Sequence, residues 1–197
     1  MLLLNVKEKL KQALFSRQKR RIFATNNVPA AVILPIYYKE VEPYILFTKR
    51  TEEVKTHKGQ ISFPGGVYQE GDGSLVSTAL RECAEEIGLT AENVEILGEL
   101  DDILATGSDY IVSPFVGFIP WPYKFEVDQR ETEKIIEIPV SVLLDKNYIR
   151  EETRNIDGNA VTLHFYTYQE TVVWGLTARI LNQFLDIFKQ MMANGRG

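Results

Sequence analysis

One cysteine in the whole sequence, Cys83, excludes an internal disulfide, and no CxxC or Cys/His spacing offers a structural zinc site. A reducing, cytoplasmic setting is the corresponding expectation. Long apolar runs are missing too. The longest, such as AAVIL from Ala30 to Leu34, are strand-sized and fall well short of the roughly 20 residues a helix needs to cross a bilayer. The N-terminal MLLLNV is too short for a secretory h-region and is followed, not preceded, by basic residues. Nor is there an excess of positive charge. A formal charge of −5 argues against wrapping of nucleic acid by the whole surface, and leaves any anionic substrate to be attracted locally, by a basic patch or a metal.

What is present is an ordinary globular composition, 45% hydrophobic and 25% charged over 197 residues, enough for one domain with a sizeable core. Leu3 to Phe15 reads as a short amphipathic helix, and the RQKRR that follows, Arg17 to Arg21, as a solvated charge run rather than a nucleic-acid patch. Ala30–Tyr37 and Tyr44–Thr48 are expected to be two strands joined by a turn. Gly59 to Gly66, GQISFPGG, reads as a loop with one short strand at Ile61–Phe63. Further strands are expected at Val94–Leu100, Ile111–Phe118, Ile135–Ile138, Tyr148–Thr153 and Val161–Tyr168, with a closing amphipathic helix at Leu176–Met191 whose buried face carries Leu181, Phe184, Leu185 and Phe188. Strands mixed with a few helices, without a regular βαβ rhythm, suggest an α+β arrangement: a mixed sheet covered by helices on its faces.

The clearest helix is Ser74–Ile87, with Asp72 or Ser74 as its N-cap and Gly88 just past its end. At 3.6 residues per turn Val76, Leu80, Cys83 and Ile87 form one stripe and face the core, so Cys83 is a small buried hydrophobe rather than a nucleophile. Glu82, Glu85 and Glu86 share a different arc. Like charges at these spacings repel, and three acids near a helix C-terminus also oppose the macrodipole. A bound divalent cation would reverse the sign of that penalty, and hard oxygen ligands suit Mg²⁺ or Mn²⁺. A charged solvent face, offset by Arg81 four residues before Glu85, is the plainer alternative for the helix alone. Just upstream, Gly65 and Gly66 give a backbone able to approach a ligand closely.

The segment Gly66 to Leu89, GVYQEGDGSLVSTALRECAEEIGL, resembles the Nudix box, Gly-x5-Glu-x7-Arg-Glu-U-x-Glu-Glu-x-Gly-U with U apolar. Arg81 to Leu89 matches at each specified position when Cys83 counts as apolar. The first half departs by one residue: Gly66 and Asp72 keep their mutual spacing, but eight residues rather than seven precede Arg81, which leaves the role of the outer acid open. LFTKRTEEVKTHKGQISFPGG, Leu46 to Gly66, is similar to the segment that coenzyme A pyrophosphatases of this superfamily carry before the box, and WGLTARIL, Trp174 to Leu181, to the start of their last helix.

The resemblance implies a Nudix-like α/β/α sandwich spanning residues 26–190, with an N-terminal helical extension (1–25) and a short tail (191–197). It implies Mg²⁺ or Mn²⁺ held by Glu82, Glu86 and Glu85 with the Gly66 carbonyl, and Arg81 orienting Glu85. The general base is either a box glutamate or Glu131. Arg50, His57, Lys58, Gly65 and Gly66 are the expected substrate contacts. The expected reaction is hydrolysis of the pyrophosphate bond of coenzyme A, with ADP-ribose or another nucleoside diphosphate derivative as the alternative and a non-catalytic nucleotide-binding module as the competing class. The expected partner is thus a small nucleotide, not nucleic acid and not a membrane, with a homodimer left open. His164 is expected to be structural or merely exposed.

Overall fold

The computed structural model describes residues 2–23, 26–53, 58–105, 108–156 and 159–194. The expected substrate residue His57 lies outside them. In chain order the first elements are α1 (Leu2–Ser16), β1 (Val28–Lys39), β2 (Glu42–Arg50), β3 (Ile61–Ser62), β4 (Gly65–Val67) and α2 (Leu75–Ile87). There follow β5 (Glu95–Glu99), β6 (Ile103–Leu104), β7 (Tyr110–Phe118), β8 (Thr132–Pro139), α3 (Val140–Leu144), β9 (Ile149–Ile156), β10 (Asn159–Tyr168), β11 (Thr171–Val173) and α4 (Gly175–Asn194).

Alternation along β1 decides the layering. Ala30, Leu34 and Ile36 enter one apolar cluster with Leu10 and Leu14 of α1 and Leu181, Phe184, Leu185 and Phe188 of α4. Ala31, Ile33 and Tyr37 enter a second cluster on the opposite face with Ala79, Cys83 and Ile87 of α2. A strand covered on both faces must be apolar at odd and even positions alike, as AAVILPIYY is. The result is a mixed sheet between helices, as expected: β1 runs parallel to β7 and antiparallel to β2. β9, β10 and β11 form a separate small antiparallel sheet, from which Tyr166 and Val173 reach the first cluster.

One feature of the large sheet positions the site. The β1–β2 ladder pairs Lys39 with Glu42 and continues as far as Ile36 opposite Ile45. The next residue back along β1 is Pro35, which has no N–H to give. Beyond it the two strands part. β3 pairs with β2 on one side of the gap and β4 with β1 on the other, Ala31 opposite Gly66 and Val32 opposite Gly65. The Pro64 carbonyl accepts from the Ile33 amide at 3.0 Å, so the inserted segment satisfies the donors that β2 no longer meets. The fork thereby delivers Gly65 and Gly66 into the sheet beneath α2.

The basic run after α1 is not a solvated stretch. Arg17 pairs with Asp101 at 2.5 Å, Lys19 with Glu99 at 2.7 Å and Asp102 at 2.9 Å, and Arg21 with Glu99 at 3.4 Å. Asp102 is buried and also accepts from the Ser113 hydroxyl at 2.6 Å and the Ile22 amide at 3.1 Å. The run is a strap that ties α1 to the end of β5, and its partners lie some eighty residues away in sequence, where periodicity cannot find them. Asp102→Ala leaves the buried Lys19 ammonium short of a counter-ion and the Ser113 hydroxyl without its acceptor. A loss of about 3 kcal/mol is expected, from the cost of breaking a buried pair. Thermal unfolding should show it as a Tm roughly 10 °C lower, and an unchanged Tm would mean the strap contributes nothing.

Candidate active site

Ser74 caps α2, its hydroxyl accepting from the Ser77 amide at 3.2 Å, and Gly88, at φ 67°, ends it by returning its own N–H to Ala84. Two further terminal carbonyls are met from outside: the Asp128 amide donates to Glu86 and the Glu126 amide to Ile87, each at 3.0 Å. The segment from Glu126 to Glu131 is thereby fastened along the helix end. The expected core stripe of Val76, Leu80, Cys83 and Ile87 does face the apolar cluster beneath, Cys83 and Ile87 inside it and Val76 and Leu80 packed against it. Val76 and Leu80 are only half-buried, and the residues turned fully inward are Thr78, Ala79, Cys83, Glu86 and Ile87. Ala79 and Ala31 share the cluster beneath, and their small side chains let the helix lie close to the sheet. The roll carries Glu86 inside with them.

Glu86 is 4% exposed, and its carboxyl is pushed up to about 8. Burial is the largest cause; Arg50 opposes it, Glu82 and Glu131 add to it, and a hydrogen bond from the Gly65 amide opposes it. Arg50 Nη1 stands 3.8 Å from Glu86 Oε1. Burial likewise raises Glu82, against an Arg81 ion pair at 2.7 Å that favours its charged form, while Glu85 and Glu131 push it further up. Glu85 is different. Its side chain is 59% exposed and turns to Arg81 at 3.0 Å. The structure thus couples Glu82, Glu86 and Glu131, and holds Glu85 at the rim.

Asp72, whose role the sequence left open, organises Arg81. Its carboxylate accepts from Arg81 Nε at 2.8 Å and Nη2 at 3.2 Å, from the Thr78 hydroxyl at 2.8 Å and from the Gln69 amide at 2.9 Å. These bonds, led by the guanidinium, hold it well below the usual carboxylate range. A short 3₁₀ turn at Glu70–Asp72, followed by Gly73 in the left-handed region at φ 71°, takes up the extra residue. Arg81 also donates to the Val67 carbonyl at 3.2 Å and so ties α2 to β4. It orients Glu82 as well as the expected Glu85.

Gly66 faces this group closely. A Cβ there would lie 2.5 Å from the Glu82 carboxyl carbon, so only glycine lets the backbone meet that carboxylate. Of the expected basic contacts, Arg50 is in place and Lys58 lies in an exposed turn before β3. Lys49 is paired with Glu133 at 2.7 Å. Among the described residues, Arg50 Nε is the buried side-chain polar atom left without a hydrogen-bond partner. No three His, Cys, Asp or Glu side chains among those residues stand gathered as a ready metal cluster. The donor set still fits a hard divalent cation: two oxygen-bearing side chains, Glu82 and Glu86, beside the Gly66 backbone, both disfavoured as free anions. Mg²⁺ characteristically takes few carboxylates and completes its shell with water and phosphate oxygens. His164 lies 3.4 Å from Glu151 on the small sheet.

The NUDIX domain family matches residues 27–152, and the chain belongs to that family. It is a Nudix pyrophosphohydrolase, an enzyme acting on nucleoside diphosphate derivatives. The curated relatives it resembles include the "Uncharacterized Nudix hydrolase NudL" of Photorhabdus laumondii, 38% identical over 80% of this chain and 83% of that protein. The protein of the same name from Yersinia pestis is 36% identical over 81% of this chain and 79% of its own length. Among solved structures, a MutT/nudix family protein from Enterococcus faecalis superposes with a TM-score of 0.55 at 12% identity, covering 93% of this chain and 73% of that one. That likeness speaks for the fold. No helix among the described residues is long and apolar enough to cross a membrane.

Proposed function

We propose that the protein cleaves the pyrophosphate bond of coenzyme A or its derivatives, releasing 3′,5′-ADP and 4′-phosphopantetheine, with Mg²⁺ or Mn²⁺ held by Glu82 and Glu86. The observation that carries the chemistry is the buried carboxyl of Glu86 and the half-buried one of Glu82, mutually repelling and set against a side-chain-free backbone. Enzymes of this family generally use divalent metals, and a bound dication would neutralise the pyrophosphate and lower the pKa of a water bound to it. Each residue then has a task. Glu82 and Glu86 would hold the cation, with the Gly66 carbonyl and Glu85 as further oxygen donors. Arg81, itself fixed by Asp72, sets the direction of Glu82 and ties the helix to β4. Glu131, fastened through its backbone to Thr51 and Asp128, takes the proton from the attacking water.

Coenzyme A is favoured by the similarity of Leu46–Gly66 to the segment preceding the box in coenzyme A pyrophosphatases. In the fold that segment contains the latter part of β2, β3 and the start of β4, and Arg50, 3.8 Å from Glu86, supports the reading. The partnerless Arg50 Nε suits an acceptor oxygen from a substrate phosphate, since a buried donor without a partner is costly. Lys58, in an exposed turn, would add a further positive charge for the substrate phosphates. The fully buried thiol of Cys83 makes no demand on an oxidising compartment, in keeping with a cytoplasmic setting. Product analysis against coenzyme A, ADP-ribose and dinucleoside polyphosphates, each with Mg²⁺ and with Mn²⁺, tests the assignment. Formation of 4′-phosphopantetheine at the highest kcat/KM is the expected result. Faster turnover of ADP-ribose would move the substrate to the alternative, and tight nucleotide binding without products would make the chain a binding module.

A further inference from the structure

The long connection between β7 and β8, residues 119–131, is laced to the end of α2 one carbonyl at a time. The Asp128 amide donates to Glu86 and the Glu126 amide to Ile87, each at 3.0 Å, and the Tyr123 hydroxyl to Gly88 at 2.8 Å. Carbonyls at a helix end ordinarily go to water or to a local cap, so committing these to a distant stretch of chain fixes that stretch along the helix. Tyr123 and Phe125 add apolar contact with the cluster beneath α2.

The last turn of the connection depends on one residue. The Asp128 carbonyl accepts from the Glu131 amide at 3.1 Å and the Thr132 amide at 2.9 Å, and its carboxylate from the Arg130 amide at 3.0 Å. An aspartate that accepts from the amide two residues on closes a turn by itself. The same carboxylate takes the Arg130 guanidinium, Nη2 at 2.7 Å, although 88% of that side chain stays open to solvent. From the other side Thr51 donates its amide to the Glu131 carbonyl at 3.0 Å and its hydroxyl to the Arg130 carbonyl at 3.2 Å. Arg50, next to Thr51, stands 3.8 Å from Glu86. Two short routes thus lead from Glu86 to Glu131, one through Asp128 and one through Arg50 and Thr51.

We propose that Asp128 is a positioning residue for Glu131. Its amide is bonded to the backbone of Glu86 and its acceptors close the turn that carries Glu131, so it sets the separation between the side chain offered to the cation and the one that takes the proton. That role rests on the reading of Glu131 as the base. A base works only within hydrogen-bond reach of the water it deprotonates, and a misplacement of about 1 Å costs on the order of 100-fold. Asp128 needs no contact with the reacting atoms to have this effect.

Kinetics on the full chain with Mg²⁺, using whichever substrate product analysis identifies, test the role in D128A, D128N, R130Q, E131Q and the double variant D128A/E131Q. E131Q should lose about 100-fold or more in kcat. D128A should lose about 10- to 100-fold in kcat with KM unchanged, and the double variant should be no slower than E131Q alone, because one residue acts through the other. D128N, whose amide oxygen still accepts from the Arg130 amide, should recover most of the loss, and R130Q, which keeps the turn, should match wild type. Where D128A does not fold, D128S takes its place, since a serine hydroxyl closes such turns more weakly. Full additivity of D128A with E131Q, wild-type kcat in D128A, or an equal loss in R130Q would overturn the proposal. Wild-type kcat in E131Q would instead sink the assignment of Glu131 as base. Amide hydrogen exchange at Glu131 and Thr132 then decides the hold of Asp128 on the turn by itself: roughly tenfold faster in D128A and unchanged in D128N supports it, and equal rates in all three proteins overturn it.

Discussion

Glu86→Gln is expected to abolish most turnover while making the metal-free protein more stable at alkaline pH. The first half follows from the proposed role. An amide keeps the shape of the side chain but removes the anionic oxygen offered to the cation, and loss of one such electrostatic partner costs on the order of 100- to 1,000-fold in kcat. The second half follows from burial. In the folded protein the Glu86 carboxyl is pushed up to about 8, against roughly 4.3 for a free glutamate. A raised carboxyl means that the native state favours the protonated form. Its contribution is fully favourable below the unfolded value, is lost as pH climbs from about 4.3 to about 8, and stays lost above. Metal-free wild type should therefore lose on the order of a few kcal/mol between pH 5 and pH 8 from this one group. Glutamine has no proton to lose, so the variant should match wild type near pH 5 and exceed it near pH 8. Added Mg²⁺ should close the gap, because the cation takes over from the proton. Urea unfolding at the two pH values, with and without Mg²⁺, reads all of this. Parallel stabilities for the two proteins would show that Glu86 is not held as the structure implies, and near-wild-type turnover would remove it from the mechanism.

The burial of Glu86 was also the least legible feature of the site. On a helical wheel it shares an arc with Glu82 and Glu85, and that arc is enough to recognise an acidic face. Which edge of the arc turns inward depends on how close the helix can lie to the sheet, and so on Ala79 and Ala31, forty-eight residues apart in sequence. The role of Asp72 was hidden for a related reason. Counting residues shows one too many before Arg81, but only the 3₁₀ turn and the left-handed Gly73 show where the extra residue goes. The elements that were easy to read are those with strong period: α2, α4 and the apolar β1, β2 and β7. In sequence β4 belongs to the loop expected over Gly59–Gly66, because Gly65 and Gly66 have no side chains to alternate, and only the fork opened at Pro35 gives it a partner. β6 and β11, two and three residues long, are too short for any period to register.

That same β4 supplies the second large effect. Gly66→Ala should cut kcat by about 100-fold or more, the scale of losing one preorganised electrostatic contact, while leaving the fold almost intact. The added Cβ would meet the Glu82 carboxyl carbon and Oε1 at 2.5 Å. Those atoms are the far end of a flexible side chain, so the fold can yield by swinging Glu82 aside; the carboxylate is then out of place, and Arg81 loses the orientation of a partner it held at 2.7 Å. One residue earlier the outcome is opposite in kind. At Gly65 the backbone has φ 154° and a Cβ would stand 2.3 Å from the Ala31 carbonyl oxygen, which belongs to the middle of the sheet and cannot swing away. Gly65→Ala should therefore lower Tm strongly or prevent folding, through strain at a position few side chains adopt and a clash with fixed backbone. Measured side by side, Tm should separate the two variants and kcat should be low in both. A Gly66→Ala protein with wild-type kcat would show that Glu82 does not need its place against the β4 backbone, and the carboxylate pair would lose its claim to be the catalytic centre.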